Sequence, residues 1–217
     1  MKQKEVQPVD RYLFEKKLWK QGFKRVMGLD EVGRGCLCGP VVASGVILEP
    51  GSELHEEIAD SKTVSFQKRK ILAEIIKEKA LFWTVQECSV SEIDNSNILK
   101  ASLKAMIKCT EISNAEPDYL LVDGNRFATS VIPYSCIVKG DNKSVSIAAA
   151  SILAKVKRDE YMMELHNEFP EFGWDKNVGY PTERHYDGLK KFGYTVHHRR
   201  TFKLKTEKSY VIEVSSE

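Results

Sequence analysis

The stretch R-V-M-G-L-D-E-V-G-R-G-C-L-C-G-P-V-V-A-S-G-V-I-L, residues 25–48, decides how the chain folds. Residues 25–31 and 41–48 are apolar and partly β-branched, and each reads as a strand. The glycine-rich turn between them, Gly33 to Pro40, makes the pair a hairpin. The first strand ends on Asp30 and Glu31. Charge at the end of an apolar strand must be solvated, paired or bound to metal. The turn has the spacing G-x-G-x-x-x-G of a dinucleotide loop, but such a loop opens a helix onto the pyrophosphate. Here Pro40 and a strand follow, and the two acids repel phosphate. The glycines instead mark close approach of backbone to a polar ligand.

Working outward, residues 11–21 read as a short helix stopped by Gly22. Residues 65–79 and 97–112 carry apolar groups at helical spacing. Strands are expected at 81–90, 118–124 and 131–140. A long helix is expected at about 144–167, dense in small residues in its first half, and a last helix near 182–192. Strands in succession followed by strand–helix alternation predict an α/β fold, a mixed sheet with helices on both faces.

Two further strands lead into acids. The strand at 118–122 runs into Asp123, and the one at 131–138 is followed by Asp141. Ligands gather outside the carboxyl ends of parallel strands, so these acids converge with Asp30 and Glu31 if the three strands are neighbours. Four converging carboxylates repel one another unless cations neutralise them. All-oxygen ligands suit Mg²⁺ or Mn²⁺, and two such ions serve phosphoryl transfer. A plainer reading remains open for two of the acids: Asp123-Gly124 is a common turn pair, and Asp141-Asn142 is a possible helix cap.

The 217 residues suit one domain plus an appendage, divided here as 1–170 and a basic extension 171–217 packed on it. From Lys176 to Lys208 there are nine Lys or Arg against three Asp or Glu. That stretch reads equally as a solvated tail or a phosphate-binding surface. No apolar run approaches the ~18 residues that span a bilayer. The N-terminus lacks the apolar core of a secretion signal, so a cytoplasmic location is expected. The five cysteines, Cys36, Cys38, Cys88, Cys109 and Cys136, then read as free, buried or partly buried thiols.

The motifs G-L-D-E-V-G-R-G (28–35), L-V-D-G (121–124), K-G-D-N-K-S-V-S-I-A-A-A-S-I-L-A-K-V (139–156) and G-Y-P-T…H…H-R-R (179–200) together resemble ribonuclease HII, in order from Phe23 to Phe202. The resemblance implies a ribonuclease H-like fold with a five-stranded mixed sheet. It implies an endoribonuclease that hydrolyses the RNA strand of RNA/DNA hybrids. It also implies incision 5′ of ribonucleotides embedded in duplex DNA, leaving 3′-hydroxyl and 5′-phosphate ends. The family's metal ligands fall on Asp30, Glu31, Asp123 and Asp141. Asp30 would bridge two divalent ions, Asp141 would complete the water-activating site, and Glu31 with Asp123 the leaving-group site. Gly33, Arg34 and Gly35 match the segment that contacts the ribose 2′-hydroxyl, the group that separates RNA from DNA. Tyr180 matches a tyrosine that stacks on the sugar on the 3′ side. Lys143 and Ser146 are candidates for backbone phosphate, and Arg199 and Arg200 for phosphate or a structural salt bridge. Asp60-Ser61-Lys62 resembles the loop before the first long helix. The chain departs from the family pattern at Cys36 and Cys38, usually Pro and Ala, at Thr63, usually Lys, and at Pro181, often Gly. A monomer is expected.

Two other readings compete. One is a DNA-acting polynucleotidyl transferase of the same broad fold, resolvase-like, which would lack the G-R-G loop. The other is a non-catalytic hybrid-binding module, which four acids facing a phosphate backbone disfavour.

Overall fold

The computed structural model describes residues 10–52, 54, 58 and 65–204. Asp60-Ser61-Lys62, Thr63 and the stretch 205–217 lie outside the described residues. Among the described residues, strands β1 (Val26–Val32), β2 (Val41–Leu48), β3 (Ala80–Cys88), β4 (Tyr119–Asp123) and β5 (Tyr134–Ile137) form one sheet in the order β3-β2-β1-β4-β5. β1 and β2 pair antiparallel, as do β2 and β3, whereas β4 runs parallel to β1 and β5 to β4. This is the expected hairpin followed by parallel strands.

Helices α1 (Leu13–Lys20), α2 (Phe66–Lys79), α3 (Val90–Asp94), α4 (Ile98–Thr110), α5 (Val145–Glu168), α6 (Trp174–Asn177) and α7 (Glu183–Phe192) surround the sheet. Element ends differ from the sequence reading by a few residues, and at β3 and β5 the local chemistry shows why. β3 stops at Cys88 because Ser89 caps the short helix α3, with Glu92 completing a reciprocal capping box. β5 is only four residues long. Lys139 beyond it turns left-handed at φ 56°, and a 3-10 turn, Gly140–Asn142, carries the chain away from the sheet.

Side chains alternate across a strand, and that period sorts β1. Met27 and Leu29, with Leu120 and Val122 of β4, pack on Ala101, Ala105 and Met106 of α4. Val26 and Leu121 face the other way, with Leu18 of α1 and Ile147 of α5. Gly28 lies on this second face, where a Cβ would stand 2.2 Å from the backbone carbon of Ser146 and 2.4 Å from the nitrogen of Ile147. The backbone of α5 therefore rests directly on β1. Ala148, Ala149 and Ala150 continue that close packing against Val46 and Leu48.

The chain beyond α5 shares a separate cluster. Phe172, Trp174 and Leu189 pack with Met162 and Leu165 of α5 and with Leu37 and Cys38 of the glycine turn. All five cysteines are free, and only Cys136 is less than fully buried. No helix among the described residues is long and apolar enough to cross a membrane.

Candidate active site

The register of the parallel strands places the first acids together. Leu29 pairs with Val122, so one step further Asp30 lies beside Asp123, on the face that carries Gly28 and Leu121. Asp30 is buried, and burial pushes its carboxyl well above the usual range. The neighbouring charges of Asp123 and Glu31 push the same way, against a hydrogen bond with Ser151. Glu31 is also raised, by burial first, although its Oε1 accepts from Arg34 Nη1 at 3.0 Å.

The fourth acid arrives from the 3-10 turn. The long helix is capped by Ser144, whose side chain accepts from the amide of Ile147, so Asp141 is not the cap. Gly140 donates its amide to Asp123 Oδ1 at 2.6 Å, which sets buried Asp141 one residue from that contact. Asp123-Gly124 is a turn as well as a candidate ligand site, with Gly124 at φ +99°. Among the described residues, no three His, Cys, Asp or Glu side chains are grouped tightly enough to hold a metal ion by themselves. A hard divalent ion keeps several waters and takes the rest of its shell from substrate phosphate. The donor set, oxygen throughout with Asp30 desolvated against like charges, fits such a cation.

A cleft of about 230 Å³ opens beside the acids, lined by Glu31, Arg34, Met106, Asp123, Asn125 and Arg126. Arg126 is exposed there and was not singled out from sequence, where it is one basic residue in a loop. Gly35 faces Tyr180: a Cβ on Gly35 would lie 3.5 Å from the ring's Cε1. The structure thus brings the G-R-G loop and Tyr180 together, although they are 145 residues apart.

The remaining candidates separate. Lys143 is exposed beside Asn142 at the approach to α5. Ser146 does not face a phosphate: it is fully buried, and its hydroxyl donates to Glu15 Oε1 at 2.6 Å. Ser146 sits on the sheet-facing side of the first turn of α5, against Gly28, which is why a substrate cannot reach it. Arg199 is 1% exposed and donates to the carbonyls of Gly39, Arg34 and Pro40, so it is neither a phosphate contact nor a salt bridge. Burial lowers its pKa to about 10. Arg200 is exposed, its guanidinium 4.7 Å from the Tyr194 ring centroid.

The backbone of Tyr180 is held from behind by groups that sequence reasoning passed over. His198 Nδ1 accepts the amide of Thr195 at 2.9 Å, so its proton sits on Nε2 and is given to His185 Nε2 at 3.1 Å. Trp174 Nε1 donates to the same His185 nitrogen at 3.2 Å. His185 must then carry its proton on Nδ1, which meets the carbonyl of Tyr180 at 3.0 Å. The amide of Thr182 donates to that carbonyl too, at 2.8 Å, across Pro181. Both imidazoles are buried and neutral in this chain of bonds, and burial lowers both pKa values.

The comparison with known proteins decides the family. The family described as Ribonuclease HII matches residues 27–205. The chain belongs to the ribonuclease HII family. It is 48% identical over 194 residues to the ribonuclease HII of Salinibacter ruber, covering 88% of this chain and 96% of that one. It is likewise 48% identical over 180 residues to the ribonuclease HII of Christiangramia forsetii, with 82% and 90% covered. Among solved structures, the RNase HII of Archaeoglobus fulgidus, determined in complex with PCNA, superimposes with a TM-score of 0.70 at 25% identity, over 85% of this chain and 98% of that one. The protein is a ribonuclease H enzyme, an endoribonuclease with the ribonuclease H fold. Membership at this identity and coverage disfavours both the resolvase-like transferase and the non-catalytic binding module.

Proposed function

We propose that this ribonuclease HII cleaves the RNA strand of RNA/DNA hybrids and incises 5′ of single ribonucleotides in duplex DNA, leaving 3′-hydroxyl and 5′-phosphate ends. Two divalent ions, Mg²⁺ or Mn²⁺, are held by Asp30, Glu31, Asp123 and Asp141. The observation that carries this reading is Asp30, buried with the carboxylates of Asp123 and Glu31 as its neighbouring charges. Such an arrangement is unfavourable on its own and favourable around cations. When bound, the ions supply the charge that activates water and steadies the leaving oxygen.

The chain's own groups hold the substrate. Gly33, Arg34 and Gly35 present backbone and one guanidinium toward the ribose whose 2′-hydroxyl is tested. Tyr180, 42% exposed beside Gly35, stacks on the following sugar. Lys143 and Arg126 stand exposed near the acids and suit the phosphate backbone. In this reading residues 1–170 carry the acids, and the extension from 171 supplies Tyr180 and its support.

The test is a duplex with one embedded ribonucleotide, incubated with chelator, Mg²⁺ or Mn²⁺, and the product ends mapped. A single cut 5′ of the ribonucleotide that needs a divalent ion is expected. Equal cleavage of an all-DNA duplex, or cleavage in chelator, sinks the proposal.

A further inference from the structure

Arg158 and Arg199 are both essentially fully buried. Among the described residues, neither forms an ion pair with a carboxylate. A buried guanidinium is costly unless its donors meet acceptors in place of the lost water. The acceptors here are backbone carbonyls, and their location differs between the two residues. Arg199 donates only within the glycine turn, to Arg34, Gly39 and Pro40. Arg158 donates to two segments. Its Nε and Nη2 reach Pro40 and Cys38 of the glycine turn at 3.2 and 3.1 Å, and its Nη1 reaches Val178 at 2.8 Å.

The glycines on either side fit the same group. A Cβ on Gly33 would stand 2.2 Å from Arg158 Nε, and one on Gly179 would stand 3.4 Å from Nη2. Gly179 also accepts the amide of Leu37 at 2.8 Å. The guanidinium is therefore sandwiched into both loops, two residues before Tyr180 and between Gly33 and Pro40, the two ends of the glycine turn.

We propose that Arg158 is a positioning residue that locks the glycine turn and the Val178–Tyr180 segment at one spacing, so that the ribose contact and the tyrosine stack are made together. This rests on the reading above that Gly33–Gly35 and Tyr180 recognise adjacent sugars. The planar fork of arginine serves three fixed carbonyls at once, which the single ammonium of lysine cannot do with the same geometry.

The test compares kcat/KM on duplex DNA carrying one ribonucleotide with kcat/KM on a long RNA/DNA hybrid, using the full-length chain with Mg²⁺ or Mn²⁺. Arg158→Lys is expected to lower the ratio of the two by about tenfold, the scale of a modest misplacement of a substrate-positioning group. Arg199→Lys should lower both rates together. Combining Arg158→Lys with Tyr180→Ala should give the ratio of Tyr180→Ala alone, because the two act through one contact. If Tyr180→Ala shifts the ratio but Arg158→Lys lowers both substrates equally, the coupling is wrong and the role of Tyr180 stands. If Tyr180→Ala leaves the ratio unchanged, the underlying reading fails and takes the coupling with it. Should Arg158→Lys not fold, hydrogen exchange on the wild type decides. The amides of Leu37, Gly39 and Tyr180 should open as one unit, with protection within about threefold of one another. A Tyr180 amide that opens by a separate, faster route overturns the proposal.

Discussion

The amide of Gly140 donates to Oδ1 of Asp123 at 2.6 Å, tying the end of one strand to the turn that carries Asp141. Asparagine keeps an oxygen for that bond and loses only the charge. Asp123→Asn should therefore fold normally and lose turnover by at least ~100-fold, the order for removing one charge contact at a reacting centre. Thermal melting and cleavage of a hybrid, measured on the same preparation, check both halves. Near-normal turnover removes Asp123 from the metal site.

Asp30 makes a different prediction, because its carboxyl is raised by burial and by Asp123 and Glu31. A raised folded-state pKa adds stability below the unfolded value of 3.8, and that stability is lost as pH rises through the folded value. At neutral pH in chelator the buried Asp30 carboxyl thus weighs against folding. Asp30→Asn should melt higher than wild type in chelator. Mg²⁺ or Mn²⁺ should raise the melting temperature of the wild type, by mass action, and leave that of the variant nearly unchanged. Identical metal responses in the two proteins contradict the assignment.

Gly28→Ala places a methyl 2.2 Å from the Ser146 backbone carbon, and backbone cannot step aside as a flexible side chain can. Overpacking costs typically ~1–3 kcal/mol. The start of α5 must shift, and Asp141 lies just before it. Urea denaturation should show the stability loss, and turnover should fall further than stability explains. A variant with full activity would show that α5 need not rest on β1.

Glu15 is buried in α1, and its Oε1 accepts from the hydroxyls of Ser144 and Ser146 and from the amide of Ser146. Glu15→Ala strands these donors, at ~1–3 kcal/mol for each one left unsatisfied. Glu15→Gln keeps an acceptor and should recover most of the loss. Equal destabilisation by the two variants in chemical denaturation would mean that the carboxylate's charge, not its acceptor oxygen, matters.

The histidine pair gives the protein an acid-sensitive point. Burial, with His185 beside it, lowers His198 from 6.5 to about 3. The unfolded chain takes up a proton that the folded chain refuses. The stability from neutral His198 is therefore full above about pH 6.5 and is lost as pH falls toward 3. The slope of unfolding free energy across that window should approach ~1.4 kcal/mol per pH unit for this one group. His198→Asn should flatten it. An unchanged slope would place the acid sensitivity elsewhere.

Much of this arrangement is written in local chemistry. Apolar runs broken by Gly33 to Pro40 and by Asp123-Gly124 specify the hairpin and the short parallel strand, because alternation and turn residues act over a few positions. The same locality left Ser89 and Glu92 readable as a capping box, although the strand reading ran past them. Arg158 also left a trace: it falls four residues from Ala154 and four from Met162, on the buried stripe of α5. Ser146 shows the opposite case. It follows the acid-bearing turn in sequence, yet one helical turn rotates it away from the acids and onto Glu15.

Sequence by itself determined the strands, the long small-residue helix and which acids stand at strand ends, since these depend on periodicity and on near neighbours in the chain. Tertiary structure alone decided that Asp30 meets Asp123 in register, that Gly35 lies beside Tyr180, and that two buried arginines are spent on loop carbonyls. Those contacts join segments far apart along the backbone. Their geometry is set by how α5 rests on the sheet and how the chain after it packs on α5 and the glycine turn, and no local propensity encodes that.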